Sequence, residues 1–193
     1  MINKIIDKLN LIAKTINFRK FINVRKEKII INISSSIELW RSRTYNSKEP
    51  ETLDWIDGFE KKDVFFDIGA NIGLYSLYAA KKKCTVYAFE PASNNYSSLI
   101  KNIELNKLNI NCFGIGLSNK EKLTSINLVS TTEGDSQHNL NHNQKIYSRK
   151  YKLKQGLFIT TIDSLINNHK IPIPNHIKID VDGHEKEILI GAK

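Results

Sequence analysis

The stretch VFFDIGANIG at residues 64–73 constrains the fold of this chain most strongly. It consists of a short apolar run, a turn with two glycines, and the start of a helical pattern. In such a turn Gly69 lets the backbone approach a ligand closely, and Gly73 lets the helix pack against the strand. The stretch therefore predicts the first unit of a ligand-binding α/β sheet. A tight turn without a ligand is the simpler alternative, because a glycine turn alone is weak evidence.

From residue 63 to residue 193, short apolar strands alternate with helical segments, which is typical of a parallel sheet with crossover helices. Four strands are predicted, at 64–68, 85–89, 110–117 and 176–181. Helices are predicted at 72–80, 95–106 and 162–168, with a last one from about Glu185. We predict a Rossmann-like sheet with these strands in the spatial order 3-2-1-4. Between residues 119 and 160, alternating polar and apolar residues predict an inserted antiparallel hairpin.

Residues 1–62 are predicted to form an extension that precedes the sheet domain at 63–193. Within it, β-branched residues at 29–33 predict a strand. A helix is expected to begin at about Ser47, with Pro50 in its first turn, and to end near Gly58.

A basic amphipathic helix is predicted over residues 3–17, where isoleucines and leucines recur at helical spacing among lysines. The chain has a net charge of +9, and in residues 1–28 eight Lys and Arg residues oppose only Asp7 and Glu27. Such a helix docks on the body of the protein, on a partner, or on an anionic membrane surface. A solvated charged face is the simplest alternative.

The two cysteines, Cys84 and Cys112, are too few and too widely spaced for a disulfide framework or a metal motif. We expect both to be ordinary buried thiols. No run of 18 apolar residues and no signal-peptide pattern occurs in the sequence. These features together favour a cytoplasmic protein.

The glycine spacing distinguishes between two nucleoside cofactors. A dinucleotide fingerprint needs glycines at 69, 71 and 74, whereas the chain has Gly69, Asn71 and Leu74. The Asn71 side chain would lie where the pyrophosphate of NAD binds, but S-adenosylmethionine has no phosphate. Glu90 closes the second strand, 21 residues after Gly69, where its carboxylate can accept hydrogen bonds from both ribose hydroxyls. We therefore predict S-adenosylmethionine as the cofactor.

Acidic residues follow the fourth predicted strand in the motif HIKIDVDGHE, residues 176–185. In the predicted order this strand lies beside the first, at the switch point where open α/β sheets bind their ligands. Asp180 and Asp182 invite a Mg²⁺ or Ca²⁺ interpretation, but the regular spacing of a calcium loop is missing, so we predict no metal. His184 is a candidate base, and its alternative is an exposed residue at a helix start.

Several motifs together resemble the FkbM-type methyltransferases, an S-adenosylmethionine-dependent family known mainly for O-methylation. The resemblance runs from about Ser47 to the end of the chain. It rests on KEPETLDWI at 48–56, DIGANIGLYS at 67–76, FEP at 89–91, TTIDSL at 160–165 and IKIDVDGHEKEILIGAK at 177–193. The resemblance implies a class I methyltransferase fold. A sheet of that class ordinarily has three further strands beyond the fourth, so we expect the domain to be incomplete at its C-terminus, unless the strand at 29–33 or the inserted hairpin covers that edge.

The same resemblance implies the residues that bind the cofactor. The methionine end would be lined by Asp67, Gly69, Ala70, Asn71 and Gly73, and the ribose would be held by Glu90. The adenine would lie against Gly116, Leu117 and Ser118. Asp180 and Asp182 would face the transfer site, as the group that orients the acceptor or takes its proton, and His184 is the next candidate.

Two departures from the family pattern affect the candidates for catalysis. The family commonly has Glu at the position of Asp182, so the carboxylate here has a shorter reach. Its residue at the position of His184 varies and is often apolar, which argues against an indispensable histidine base.

The predicted reaction is methyl transfer to a hydroxyl on a glycan, a lipid-linked or a small-molecule acceptor. A nucleic-acid methyltransferase is the nearest alternative, but the D/N-P-P-Y/F element is absent and the basic excess lies outside the core. A non-catalytic cofactor-binding protein is the other alternative. The polar loop at 131–144, with His138 and His142, is expected to cover the acceptor or to be a surface excursion.

Overall fold

The structure, a computed structural model, describes residues 18–140 and 150–193. Its strands are β1 (Phe18–Val24), β2 (Glu27–Ile33), β3 (Val64–Ile68), β4 (Thr85–Phe89), β5 (Ile110–Phe113), β6 (Gly116–Leu117), β7 (Lys122–Leu128), β8 (Leu153–Thr160) and β9 (His176–Ile179). Its helices are α1 (Ser36–Lys48), α2 (Pro50–Asp57), α3 (Leu74–Lys81), α4 (Ser93–Asn106), α5 (Ile162–Asn167) and α6 (Glu185–Ile190). The helix predicted at 3–17 and the predicted loop residue His142 lie outside the described residues.

The central sheet has the strand order β5-β4-β3-β9, and all of its neighbouring strands are parallel. This confirms the α/β, Rossmann-like fold and the predicted order 3-2-1-4. Successive residues of β3 serve opposite faces, since Phe65 packs into the core beneath α3 and α4 while Phe66 packs into the core beneath α5 and α6. The helices thus cover both faces and leave the carboxyl ends of the strands open as a crevice.

The third predicted strand, 110–117, is wrong as a single element. It divides into β5, which pairs with β4, and β6, which leaves the central sheet and pairs in parallel with β8. The chain turns between them at Gly114, where a Cβ would lie 3.2 Å from the ring of Tyr96. The predicted antiparallel hairpin is confirmed as the β7–β8 pair, with β6 as a third strand on its far edge.

The first part of the chain differs from the prediction in two elements. The strand at 29–33 is β2, but it is one arm of a hairpin with β1, joined at Arg25 and Lys26. Helix α1 was not predicted, and Ser47 lies inside it rather than capping the next helix. Helix α2 begins at Pro50, three residues later than predicted, and ends at Asp57 with Gly58 as its C-cap, close to the predicted end.

Strand β2 binds helix α4 through two asparagines. Asn106 accepts from the Ile30 amide at 2.9 Å and donates to the Ile30 carbonyl at 2.7 Å, and Asn102 accepts from the Asn32 amide at 2.8 Å. Side chains of α4 therefore bind backbone groups on the edge of β2 that faces away from β1, which protects this edge from pairing with another chain. Ile29, Ile31 and Ile33 of β2 are buried in the same core as α3 and α4.

Strand β9 is at the edge of the sheet in the described residues, with β3 on one side. Neither β2 nor the β7–β8 hairpin pairs with its other side. The alternative in which one of these two elements covers this edge is therefore wrong. The continuation of the sheet stays a prediction. Within the described residues, no helix combines the length and apolar character needed to cross a bilayer. Both cysteines are free thiols; Cys84 is buried and Cys112 is partly buried.

Candidate active site at the carboxyl edge of the sheet

Gly69 directly follows β3 and turns the chain with a φ of 82°. A Cβ at this position would lie 2.1 Å from the carbonyl oxygen of Asp180, which follows β9. The adjacent amide of Asp180 donates to the Ile68 carbonyl at 2.9 Å. The glycine therefore allows the ends of β3 and β9 to meet, in addition to leaving room for a ligand.

Gly73 has a φ of 86°, and a Cβ there would lie 2.3 Å from Cδ1 of Leu99. The close neighbour of Gly73 is therefore helix α4, so this glycine leaves room for a second helix rather than for the predicted packing of α3 on the strand. Asn71, between the two glycines, also has a positive φ, 52°, and its side chain donates to the carbonyl of Asp135 at 3.0 Å. The loop is thus fixed on both sides by long-range contacts.

Asp67 lies beneath the loop and is 1% exposed. Its Oδ2 accepts from the Ser76 hydroxyl at 2.5 Å, and its buried Oδ1 has no hydrogen-bond partner. Burial raises the pKa of Asp67, against the opposing charge of Lys178 on the neighbouring strand. Asp67 and Gly73 support the loop from below and are not among the residues that line the polar cavity.

Glu90 follows β4 and is 5% exposed. One carboxylate oxygen accepts from the Asn71 amide at 2.7 Å and the other accepts from the Ala92 amide at 2.9 Å. Burial raises the pKa of Glu90 to about 7, although these two amides and the Arg41 charge favour the ionised form. Each oxygen keeps a lone pair that can accept from a ligand hydroxyl.

A polar cavity of about 230 Å³ lies in the crevice. It brings together five of the predicted residues, namely Gly69, Asn71, Glu90, Asp180 and Asp182. It also contains Arg41, Lys48 and Asn95, which were not predicted, and Asp135 and Ser136 of the polar loop that was predicted to cover the acceptor.

The segment 129–140 closes one side of this cavity. Asn95 holds it from α4, accepting from the Gly134 amide at 2.8 Å and donating to the Asp135 carbonyl at 2.9 Å. Arg41 donates to the Gly134 carbonyl at 2.6 Å, and Asp182 accepts from the Gln137 amide at 2.5 Å. His138 lines the cavity as well. The described part of the predicted loop therefore covers the crevice.

The two aspartates that follow β9 have different surroundings. The Asp180 side chain is 58% exposed and pairs with Lys178 at 2.9 Å. Partial burial raises its pKa, but Lys178, Lys48 and Arg41 together lower it below the usual range. Asp182 lies on both the polar cavity and a smaller apolar one. In the described part of the chain, no three His, Cys, Asp or Glu side chains are grouped as metal ligands.

His184 lies on the apolar cavity, away from the polar one. Its Nε2 is 3.0 Å from the Ser118 hydroxyl, and its Nδ1 is 3.7 Å from Glu187. Burial lowers the pKa of His184 despite that carboxylate. The apolar cavity, of about 50 Å³, is also lined by Gly116 and Leu117. The structure thus groups His184 with the predicted adenine segment and separates it from Asp180.

One sequence signal could have found Arg41 and Lys48. Ser35 and Glu38 form a capping box, in which the serine hydroxyl accepts from the Glu38 amide and the glutamate accepts from the Ser35 amide. This S-x-x-E pattern predicts a helix start and would have placed both cations on one helix. The position of Asp135 depends on contacts across the fold, and no local pattern indicates it.

Comparison with known proteins places these features in a family context. The chain is similar to the hexuronic acid methyltransferase AglP of Haloferax volcanii, with 28% identity over 164 residues that cover 82% of this chain and 62% of that protein. It is 33% identical to a tRNA (guanine(37)-N(1))-methyltransferase of Xenopus tropicalis over 113 residues, 55% of this chain and 23% of that protein. The chain therefore spans less than two thirds of the length of these relatives.

Among solved structures, a tRNA m1G37 methyltransferase of Methanocaldococcus jannaschii shares 20% identity at a TM-score of 0.35, covering 51% of this chain and 29% of that chain. The Methyltransferase FkbM domain matches residues 67–193 of this chain. That match includes the glycine loop, Glu90 and the aspartates after β9, which line one crevice. The chain therefore belongs to the FkbM methyltransferase domain family.

Proposed function

We propose that this chain binds S-adenosylmethionine in the crevice and transfers its methyl group to a hydroxyl oxygen of a glycan or related small acceptor. The observation that carries the proposal is the convergence of Glu90, the glycine loop and two aspartates on one polar cavity. Glu90 would accept hydrogen bonds from the ribose hydroxyls, and Gly69, Ala70 and Asn71 would bind the methionine end. Family membership supports methyl transfer as the reaction class.

The neighbouring apolar cavity supports a nucleoside ligand. It shares Gly69, Pro91 and Asp182 with the polar cavity, so one ligand can reach from one into the other. Its remaining lining is mainly aliphatic, with Ile115, Leu117 and Ile188, as an adenine ring requires. The bond between His184 and Ser118 would hold this wall in place, which makes His184 a positioning residue in our proposal.

The bound cofactor would supply a methyl group already activated on a sulfonium, so the protein chiefly has to align the acceptor oxygen. Positioning of this kind can contribute roughly 7–11 kcal/mol to lowering the barrier. Asp180 stays ionised because its cationic neighbours lower its pKa, and it would accept a hydrogen bond from the acceptor hydroxyl. Asp182 is the nearest candidate to receive the proton, since it lies where the two cavities join.

A glycan acceptor is supported by the relative named as a hexuronic acid methyltransferase, whose similarity extends over 82% of this chain. The tRNA methyltransferase relative covers 55% of the chain. We therefore favour a sugar hydroxyl over a nucleic acid base, and we expect contact with an anionic membrane only through the basic segment before residue 18.

The test is methyl transfer from radiolabelled S-adenosylmethionine to parallel panels of uronate-containing glycans, lipid-linked sugars, small alcohols and tRNA. We expect label in a sugar-containing acceptor and none in tRNA. Calorimetry with S-adenosylhomocysteine and NAD is run beside it, and we expect only the former to bind. Label in tRNA alone, or binding of NAD alone, would refute the proposal.

A further inference from the structure

A second, smaller cavity lies beside the glycine loop and the start of α3. Its volume is about 40 Å³, so it suits a group of few atoms. Three of its lining residues, Arg41, Lys48 and Lys178, are cations, and the only described carboxylate among them is Asp180. The lining therefore favours a small anionic group.

The pairing of these charges leaves Arg41 as the cation available to a ligand. Lys178 pairs with Asp180 at 2.9 Å, and Lys48 pairs with the adjacent Glu49 at 2.6 Å. No carboxylate in residues 18–140 and 150–193 forms an ion pair with Arg41, whose Nε donates to the Gly134 carbonyl. Because a guanidinium has five N–H donors, most of those on Arg41 remain for a ligand.

Burial lowers the pKa of Arg41 more than the surrounding carboxylates, Asp180 and Glu90 first among them, raise it. The guanidinium therefore loses part of its hydration without gaining a directly bound carboxylate. An anionic ligand that forms charge-assisted hydrogen bonds would compensate for that loss.

The fold holds the two helical cations in place. Arg41 and Lys48 are seven residues apart on α1, which puts them on one face of the helix. Between them, the buried Tyr45 donates from its hydroxyl to the Leu74 carbonyl at 2.7 Å. Leu74 is the first residue of α3, whose N-terminal dipole also favours negative charge.

We propose that this cavity binds a carboxylate, with Arg41 as its principal partner and Lys48 as the second. The inference rests on the proposed function, because the carboxylate would belong either to the methionine end of the cofactor, beside Gly69, or to an acidic acceptor, beside Asp180. Both sources present the same chemistry to the same cavity.

The experiment compares S-adenosylhomocysteine, which carries the carboxylate, with 5′-methylthioadenosine, which lacks the amino-acid end. Calorimetry is run on the wild-type chain, on Arg41→Gln, and on Arg43→Gln as an exposed charge-loss control on the same helix. If the cofactor supplies the carboxylate, Arg41→Gln weakens S-adenosylhomocysteine by about 10–100-fold and changes 5′-methylthioadenosine by less than about twofold. Arg43→Gln changes neither.

If the acceptor supplies the carboxylate, Arg41→Gln leaves S-adenosylhomocysteine binding unchanged. Glucuronate titrated into the S-adenosylhomocysteine complex then binds to the wild type but not to Arg41→Gln. Glucose, which has no carboxylate, gives the same titration with both chains. The proposal is overturned if Arg41→Gln binds S-adenosylhomocysteine and glucuronate as tightly as the wild type does. It is also overturned if Arg41→Gln weakens the binding of 5′-methylthioadenosine as much as that of S-adenosylhomocysteine. Should Arg41→Gln fail to melt cooperatively, Lys48→Gln, at an exposed position, takes its place. A wild-type chain that binds neither nucleoside refutes the proposed function, and the glucuronate titration of the free chain still tests the cavity.

Discussion

The Glu90 carboxyl group has a pKa raised to about 7, because burial at the end of β4 disfavours its ionised form. Ribose hydroxyls donate to a carboxylate more strongly than to a carboxylic acid. Ligand binding at this residue should therefore depend on pH close to neutrality.

The first prediction concerns this pH dependence. At pH 8 most Glu90 side chains are ionised, whereas at pH 6 most are protonated. We therefore expect the Kd of S-adenosylhomocysteine to rise by roughly tenfold between pH 8 and pH 6. Glu90→Gln should weaken binding at pH 8 and remove most of that dependence. Calorimetry at several pH values measures both. An unchanged pH profile in Glu90→Gln would exclude Glu90 as its source.

The stability of the ligand-free chain depends on pH in the opposite direction from ligand binding. The folded chain holds the Glu90 proton up to about pH 7, whereas the unfolded chain releases it near 4.5, the ordinary value. The contribution of Glu90 to stability is thus complete below about 4.5 and is lost as the pH rises to about 7. The melting temperature of the ligand-free wild type should therefore fall as the pH rises from about 4.5 to about 7, and Glu90→Gln, whose amide does not titrate, should lack this share of the fall.

The second prediction separates cofactor binding from acceptor alignment. Asp180→Asn and Asp182→Asn each remove a charged hydrogen-bond acceptor, so we expect kcat/KM for methyl transfer to fall by about 10–100-fold. The Kd of S-adenosylhomocysteine should change by less than about threefold, since Glu90 and the glycine loop are intact. Transfer kinetics and calorimetry on the same preparations provide the measurements. A loss of cofactor affinity as large as the loss of rate would place these aspartates in the cofactor site.

At the scale of elements, the strands of the sheet were predictable because their apolar runs and the glycine turn are local signals. The β1–β2 hairpin was not predictable in this way, because its turn residues, Arg25 and Lys26, are neither Gly nor Asn, the residues that usually mark such a turn. Arg25 nevertheless adopts the positive φ, 53°, that the turn requires. Helix α1 was not predictable either, because its sequence is mostly polar. Its buried residues are Glu38, Ser42 and Tyr45, so apolar side chains do not recur at helical spacing along it.

For the candidate site, the motifs indicated Gly69, Glu90, Asp180 and Asp182, because each directly follows or closes a strand of the predicted sheet. Arg41 enters the cavity from α1, which follows β2 in the sequence but no strand of the central sheet. The capping box could have located this helix, whereas its place at the cavity depends on tertiary contacts such as that of Tyr45 with the Leu74 carbonyl.

The third prediction concerns the segment over the crevice. Asn95 is 1% exposed and holds that segment by both ends of its amide. Asn95→Ala leaves the Gly134 amide without its partner, at a cost of about 1–3 kcal/mol for the unsatisfied group, and removes one of the two side-chain donors to the Asp135 carbonyl. We expect a higher KM for the acceptor with little change in S-adenosylhomocysteine affinity. Asn109→Ala, at an exposed loop position, is the matched control. Equal loss of both affinities would show that the segment shapes the cofactor site instead.

Across the whole molecule, the proposed boundary between residues 1–62 and 63–193 does not coincide with a boundary of the hydrophobic core. Ile29 and Ile31 of β2 and Leu53 and Ile56 of α2 are all fully buried. They pack in one cluster with core residues of the sheet domain such as Leu77. The two segments share this cluster, whereas the cluster beneath α5 and α6 belongs to residues 63–193 alone.

The last prediction follows from this shared core. A chain that starts at residue 63 would expose the face of α3 and α4 that β2 covers, and it would leave Asn102 and Asn106 without the strand backbone they bind. Burying each large aliphatic side chain contributes about 1.5–3 kcal/mol, so four such residues contribute about 6–12 kcal/mol, which is comparable with the 5–15 kcal/mol that typically stabilises a domain. We therefore expect residues 63–193 alone to lack a cooperative melting transition and to bind no S-adenosylhomocysteine. Supplying residues 1–62 in trans should restore part of both, and Asn102→Ala in the full chain should lower its melting temperature without abolishing the fold. A cooperatively melting, ligand-binding 63–193 fragment would show instead that the sheet domain is an independent folding unit and that the extension is an accessory to it.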